Sequence, residues 1–277
     1  MISGIGCAAR FPYYLTTYGF HTIHGRAPAV ATGVKRANPA LDVWVVGGDG
    51  DFLAIGGNHL IHALRRDIDL NLLLLNNAIY GLTKGQASPT SPIGTRTPSS
   101  PDGSTDHPVN AALLALGAGA GFFARTVDVL QDHLPATMRR AHGHKGAALV
   151  EVLQNCIVYN DGAFGAISSK NDSADVTVAL EHGKPMVFGS EGDKGLVYVN
   201  GRFRTVTVGK DCAESDLARH DETDLSRAFA LAQLTGPEEP TPIGVLYARP
   251  SSADRRAEDA APRPMSRAAL TNLVGGA

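Results

Sequence analysis

The sequence predicts an α/β fold: an open parallel sheet with helices on both faces, followed by a small strand-rich C-terminal extension. Three observations lead there. Strand-like and helix-like patterns alternate over residues 41–151. The strand-like runs are apolar on both faces, as a sheet covered from both sides requires. After Cys156 the pattern changes to short alternating segments around an Asn-Gly pair, a strong hairpin signal.

Ile2 to Ile5 reads as the end of a first strand. Leu41 to Val46 reads as a buried parallel strand that runs into the turn G-G-D-G. Phe52 to Arg66 reads as a helix, with Asp49 and Asp51 near its positive N-terminal end and Arg65 and Arg66 at its C-terminal end. Leu70 to Leu75 is the next strand. Val109 to Leu116 reads as a helix, Phe122 to Arg125 as a short strand, Val127 to Ala141 as a helix and Ala147 to Leu153 as a final strand.

Between them, Gly81 to Ser104 is polar and rich in Gly, Ser, Thr and Pro. A loop of that length in a compact domain is functional or disordered, and its start at a strand end argues for function. Val197 to Val208 reads as the hairpin, and a helix is expected near Asp224 to Leu234. The organisation expected is a ligand-binding domain over 1–159, an extension over 160–250, and a tail over 251–277. The tail has few apolar anchors, so mobility is expected there.

Composition bounds the function classes. The chain has 277 residues, 43% hydrophobic and 19% charged, with a net charge of -2. That length is ample to bury a core. Near-neutral charge gives no reason to expect nucleic acid or a membrane surface as partner. No apolar run approaches the ~20 residues of a membrane span. The N-terminus lacks the basic and then apolar stretches of a signal peptide, and three widely spaced cysteines make no secreted disulfide framework. A cytoplasmic enzyme is the expectation.

The chemistry concentrates in V-V-G-G-D-G-D at Val45 to Asp51 and N-N-A-I-Y at Asn76 to Tyr80. Each strand end can offer one hard oxygen at the same sheet edge, where open α/β sheets bind ligands. That pairing suits a small divalent cation holding a diphosphate. Magnesium takes near-octahedral oxygen ligands, one or two from side chains and the rest from phosphate, main chain and water. The glycines let the main chain approach phosphates. Singly, a D-G turn and an N-N turn are common; together at two strand ends they point to the cation.

The spacing, Gly48-Asp49-Gly50 followed by residues 51–75 and then Asn76-Asn77, resembles the thiamine-diphosphate signature. Longer stretches sharpen this. G-I-G-C-A-A-R-F-P-Y-Y at Gly4 to Tyr14, Y-G-F-H-T-I-H-G-R-A-P-A at Tyr18 to Ala29, and G-D-G-D with I-G-G-N-H at Gly48 to His59 contribute. So do N-N-A-I-Y-G-L-T-K-G-Q at Asn76 to Gln86 with its S-P-T-S-P continuation, Q-N-C-I-V-Y-N-D-G-A-F at Gln154 to Phe164, and E-H-G-K-P at Glu181 to Pro185. Together they resemble the beta subunit of a 2-oxoacid:ferredoxin oxidoreductase, of the 2-oxoglutarate type, over nearly the whole chain except the tail.

The resemblance implies the thiamine-diphosphate-binding fold. It implies oxidative decarboxylation of a 2-oxoacid with coenzyme A to acyl-CoA and carbon dioxide, with electrons passed through an iron–sulfur cluster to ferredoxin. It also implies an alpha subunit as partner, which supplies the glutamate that engages the cofactor's pyrimidine. By the same resemblance Asp49, Asn77 and the carbonyl of Ile79 hold magnesium. Gly48, Gly50 and Asp51 flank that site, Gly81, Leu82 and Thr83 lie on the diphosphate, and His24 lies near the cofactor. Lys84 lies near the substrate, where an ammonium could bind a carboxylate.

The family carries four cysteine ligands for a 4Fe-4S cluster. Cys7 and Cys156 match two of them; Cys212 matches none. The C-x-x-C pair that precedes the G-I-G-C segment in the family is not in this sequence, which starts six residues before Cys7. The expectation is an incomplete or misplaced start, with a first strand, a helix and the C-x-x-C pair upstream, and an incomplete cluster in the chain as given. The alternative is a cluster-free, non-catalytic, cofactor-binding remnant that docks on an alpha subunit. His59 and His62, at i, i+3 with no third ligand near in sequence, argue against a transition-metal site; His142 and His144 read as helix C-terminal residues.

Overall fold

The computed structural model describes residues 1–169, 171–234 and 239–249; the tail expected over 251–277 lies outside them. The apolar runs form β1 (Ile2–Ser3), β2 (Phe20–His21), β3 (Trp44–Gly48), β4 (Asn71–Asn76), β5 (Phe122–Val127), β6 (Ala148–Leu153) and β7 (Thr177–Leu180). Short strands β8 (Val187–Phe188), β9 (Lys194–Val199) and β10 (Arg202–Thr207) follow, and β11 (Thr241–Ala248) comes last. The helices are α1 (Ala27–Ala37), α2 (Gly57–Arg65), α3 (Ala111–Gly117), α4 (His133–Gly143), α5 (Ser173–Val176) and α6 (Leu225–Ala232).

Eight strands make one sheet in the order β2-β1-β3-β4-β6-β5-β11-β7, and β10-β9-β8 make a second of three. In the large sheet every pair is parallel except β11 with β5. Alternate residues divide between two apolar layers, as the strand period of two dictates. Val45, Leu72, Leu74, Phe123 and Leu149 face one layer. Val46, Leu73, Phe122, Ala124 and Val150 face the other.

Several boundaries differ from expectation. The strand expected from Leu41 begins at Trp44, because Leu41 is exposed and closes a turn onto Asn38. The single helix expected over 52–66 is broken. Asp51–Ile55 forms one wide π-type turn, Ala54 leaves helical angles (φ -95°, ψ -107°), and α2 starts at Gly57. A Cβ at Gly56 would lie 2.4 Å from the Asp51 carbonyl, so the break needs glycine there. The helix expected from Val127 begins at His133. Thr126 and Val127 are fully buried and complete β5 against Val152 and Leu153.

α3 starts after Asn110, whose Oδ1 accepts from the Leu113 amide at 3.1 Å while its Nδ2 donates to the Ala232 carbonyl at 2.7 Å. One side chain thus caps α3 and ties it to α6. The Asn-Gly hairpin forms as expected: Asn200 and Gly201 take φ 51° and 78°, the pair of positive angles a type I′ turn needs. Strands β7 and β11 extend the large sheet beyond β5, so the sheet crosses the boundary expected near residue 159. Among the described residues no helix is long and apolar enough to cross a membrane.

Buried histidines give this fold a pH dependence. His220 is buried, and Nε2 lies 2.8 Å from the Val245 carbonyl, so Nε2 carries the proton. Nδ1 is buried with no partner. Burial holds the His220 pKa below its ordinary 6.5. Below pH 6.5 the unfolded chain therefore takes up a proton that the folded one does not, and stability falls with pH. His220→Gln keeps a donor and removes the titration. It should lose less melting temperature than the native protein between about pH 7 and about pH 5; identical losses would show that His220 contributes nothing to acid lability.

Candidate functional site

At the carboxyl ends of β3 and β4 the structure holds a cavity of about 660 Å³, closed on one side by the 3₁₀ stretch Cys7–Tyr14. His24, Gly48, Asp49, Gly50, Asp51, Asn77, Ile79, Gly81, Leu82 and Thr83 all line it, so the fold brings these predicted residues to one place.

Close packing shapes the G-G-D-G turn. A Cβ at Gly50 would stand 2.0 Å from Cε1 of Tyr80, and one at Gly47 would stand 2.3 Å from the Phe52 ring. Tyr80 thus lies on the bare Gly50 main chain and donates its hydroxyl to the Gly50 carbonyl at 3.2 Å. Gly48 has room; its nearest neighbours are 3.8 Å away or more.

Asp49 is 1% exposed. Its Oδ2 accepts from the hydroxyls of Ser88 at 2.5 Å and Thr90 at 2.6 Å. Burial raises its pKa, and the bonds from Ser88, Thr90 and the Gly50 amide act against that. Among the described residues no lysine or arginine pairs with it. A buried carboxylate with hydroxyls on one oxygen and no cationic side chain is a fit for a bound cation.

The second half of the donor set is the N-N turn. Ala78 takes the left-handed φ of 53°, which is strained for a residue with a Cβ. The strain is held in place: the Ala78 carbonyl accepts from Ser91 Oγ at 2.7 Å and Asn160 Nδ2 at 3.2 Å, and its amide donates to Asn76 Oδ1 at 3.2 Å. Asn77 Oδ1 accepts from the Ile79 amide at 3.3 Å and keeps a second lone pair. Asp49, Asn77 and Ile79 line one cavity, and a carboxylate, an amide oxygen and a main-chain carbonyl are donor types that magnesium takes beside phosphate.

Asp51 lines the cavity, but its Oδ1 is spent on main-chain amides, from Gly25 at 2.8 Å and Ile5 at 3.2 Å. It anchors the N-terminal segment and the His24–Gly25 turn to the G-D-G turn. Burial raises its pKa, against the bonds from Gly25 and Ile5, and Oδ2 is buried without a partner. His24 is exposed on the cavity wall. Thr83 bonds Gln86 through both its hydroxyl and its carbonyl. Lys84 is exposed, takes φ 76°, and stands next to the lining residue Thr83 without lining the cavity itself.

Cys7 and Cys156 come together across the chain. A Cβ at Gly81 would lie 3.3 Å from one Sγ and 3.8 Å from the other. Both are free thiols, and partial burial, then Cys156 itself, raises the Cys7 pKa. Among the described residues no third His, Cys, Asp or Glu joins them, so this pair alone does not make the four-thiolate set of a cubane cluster. Cys212 lies elsewhere, in the turn after β10.

Sequence reading missed Ser88, Thr90, Arg10 and Tyr14. The first two stand in the S-P-T-S-P segment, where their signal was a run of small hydroxyls in a long loop. Arg10 and Tyr14 line the cavity and bond each other at 3.1 Å.

Residues 4–152 match the family described as thiamine pyrophosphate enzyme, C-terminal TPP binding domain. The chain is 49% identical to 2-oxoglutarate oxidoreductase subunit KorB of Mycobacterium tuberculosis over 284 aligned residues, 99% of this chain and 76% of that protein. It is 47% identical to subunit beta of 2-oxoacid:ferredoxin oxidoreductase 1 of Aeropyrum pernix, over 58% of this chain and 51% of that one. Among solved structures it is similar to the 2-oxoglutarate:ferredoxin oxidoreductase from Magnetococcus marinus with 2-oxoglutarate, coenzyme A and succinyl-CoA bound. The TM-score is 0.70 and the identity 31%, over 100% of this chain and 77% of that one.

The Gly50–Tyr80 contact gives a direct check on the turn. Gly50→Ala should destabilise the protein by about 1–3 kcal/mol through overpacking. In a Tyr80→Ala background the same change should cost far less, measured by urea unfolding. Equal costs in the two backgrounds would mean that the ring does not impose glycine there.

Proposed function

The chain belongs to the beta subunits of 2-oxoglutarate:ferredoxin oxidoreductases, and we propose that with an alpha subunit it catalyses oxidative decarboxylation of a 2-oxoacid, 2-oxoglutarate by preference. In this reading the 2-oxoacid and coenzyme A give acyl-CoA, carbon dioxide and two electrons, which pass to ferredoxin. The reaction takes place in the cytoplasm.

The observation that carries the reading is the buried, cation-free Asp49 carboxylate facing the Asn77 turn across one cavity. Asp49, Asn77 and the Ile79 carbonyl hold magnesium. Gly81, Leu82 and Thr83 run along the diphosphate, and Gly48, Gly50, Asp51 and His24 complete the wall. When bound, thiamine diphosphate supplies the carbanion and the electron sink for decarboxylation. The protein's part is to hold that cofactor rigidly, to keep the apolar wall of Phe11, Ile55 and Ile79 around it, and to orient the acid. Lys84 binds a substrate carboxylate; it is exposed and follows Thr83, which lines the cavity. Cys7 and Cys156 would offer two thiolates, an incomplete set for a 4Fe-4S cluster.

The first test is Asp49→Ala, which removes the one carboxylate offered to the metal. Calorimetry on the complex with its alpha subunit should show loss of thiamine diphosphate binding with the fold kept; unchanged affinity refutes the site. The second concerns Lys84. A hydrogen bond to a charged group contributes about 1.5–3 kcal/mol, so Lys84→Met should lower kcat/KM for 2-oxoglutarate roughly ten- to a hundredfold. Native efficiency in that variant would make Lys84 a surface lysine.

A further inference from the structure

We propose that the buried Arg125–Glu151 ion pair is a positioning unit for the metal-binding carboxylate, acting on Asp49 through Asn76 and Thr90. The proposal rests on the reading of Asp49 as a magnesium ligand.

Glu151 stands in the middle of β6, among Leu149, Val150, Val152 and Leu153, and is 3% exposed. Arg125 faces it across β5 in exact strand register, with Nε donating to Glu151 Oε2 at 2.7 Å. An ion pair inside an apolar layer is weak evidence for stability, since a well-packed apolar pair serves as well. Its connections suggest another use. The second carboxylate oxygen, Oε1, accepts from Asn76 Nδ2 at 2.8 Å. Asn76 is the last residue of β4, at the edge where the cavity opens.

A carboxylate only accepts hydrogen bonds, so Glu151 dictates which way the Asn76 amide points. With its NH₂ turned to Glu151, Asn76 presents Oδ1 to the opposite side. There it meets the Ala78 amide at 3.2 Å and the Thr90 hydroxyl at 2.9 Å. Flipping the amide would set oxygen against carboxylate and NH₂ against the Ala78 N–H, two mismatches at once. Thr90 Oγ1 in turn lies 2.6 Å from Asp49 Oδ2, beside Ser88 Oγ at 2.5 Å, and its single hydroxyl proton is shared between Asn76 Oδ1 and Asp49 Oδ2. The two side-chain hydroxyls thus both bond Oδ2, and neither bonds Oδ1.

The chain of contacts runs from β5 through β6 and β4 to the loop and ends on the β3 turn. It joins the carboxylate donor, Asp49, to the turn that carries the amide donor, Asn77. Metal ligands held by such outer partners lose ~10–100-fold in affinity when the partner is removed. That is the effect expected here, and it distinguishes positioning from bulk stability.

The experiment uses the complex of this chain with its alpha subunit, stripped of metal, with Mn²⁺ as the probe. Free Mn²⁺ is followed by electron paramagnetic resonance in excess thiamine diphosphate. Glu151→Gln and the near-isosteric Thr90→Val should each bind Mn²⁺ about 10–100-fold more weakly. Thr90→Ser, which keeps the hydroxyl, should restore most of that loss. At saturating metal kcat should return close to native. Native Mn²⁺ affinity in both Glu151→Gln and Thr90→Val, with Asp49→Ala still losing it, overturns the positioning role and leaves the metal site standing. A lowered kcat that no metal concentration recovers, together with a lowered melting temperature, also overturns it, as a purely structural pair. Native affinity in Asp49→Ala overturns the metal site itself, and this proposal with it.

Discussion

The burial of the Asp49 carboxylate is the constraint around which the site is built. An ionised carboxylate withdrawn from water must be given hydrogen bonds or a cation. Here Ser88 and Thr90 give two hydroxyls to one oxygen, and neither can come from the strand that carries Asp49. The chain therefore leaves β4, makes the Asn77–Tyr80 turn, and comes back across the sheet edge before it can start α3. The long polar loop after Tyr80 is a consequence of that demand. Its buried polar side chains, Ser88, Ser91 and Thr97, are hydroxyls that bond into the site or into the loop's own turns.

Close approach of main chain to side chain is the second constraint. Tyr80 can lie on the G-D-G turn only because Gly50 has no Cβ. The Asp51 carboxylate can reach the Ile5 and Gly25 amides only because Gly4 has none: a Cβ there would stand 1.9 Å from Asp51 Oδ2. Gly25 and Gly56 meet main chain to main chain, at 2.4 Å for the Cβ that Gly25 lacks. These contacts dock the N-terminal segment, with Cys7, onto the same turn that carries Asp49. One short run of sequence thereby holds the cavity floor and its lid-like wall in a fixed relation.

The strands and the donor pair were legible in the sequence because they follow from local pattern. Apolar runs with no polar face can only be strands covered on both sides, and Asp49 and Asn77 stand at the ends of two of them. The break at Ala54 was not legible. Residues 52–66 carry a continuous helical pattern, and what interrupts it is a contact at a distance, the approach of Gly25 to Gly56. The extent of the large sheet was missed for a related reason. β7 and β11 are separated by the small hairpin sheet, and only tertiary pairing brings them together, β11 lying antiparallel to β5. Ser88 and Thr90 were hidden because a hydroxyl in a polar loop looks the same whether it meets water or a buried carboxylate. The inverse signal was present and went unread: Arg125 in F-F-A-R-T-V and Glu151 in A-L-V-E-V-L are charges in runs that otherwise have none.

Those two charges also bear on the electrostatics of the edge. Asp49 and Asp51 lie close together at the end of β3, both with pKa values raised by burial, and burial followed by these two carboxylates raises the pKa of Tyr80. Glu151 adds a third carboxylate below them. Arg125 neutralises Glu151 at 2.7 Å, main-chain amides serve Asp51, and Asp49 has the Ser88 and Thr90 hydroxyls and the Gly50 amide. Among the described residues a side-chain cation is thus paired with Glu151 and not with Asp49, which lines the cavity. A divalent cation placed there meets a field that the surrounding side chains have not already cancelled.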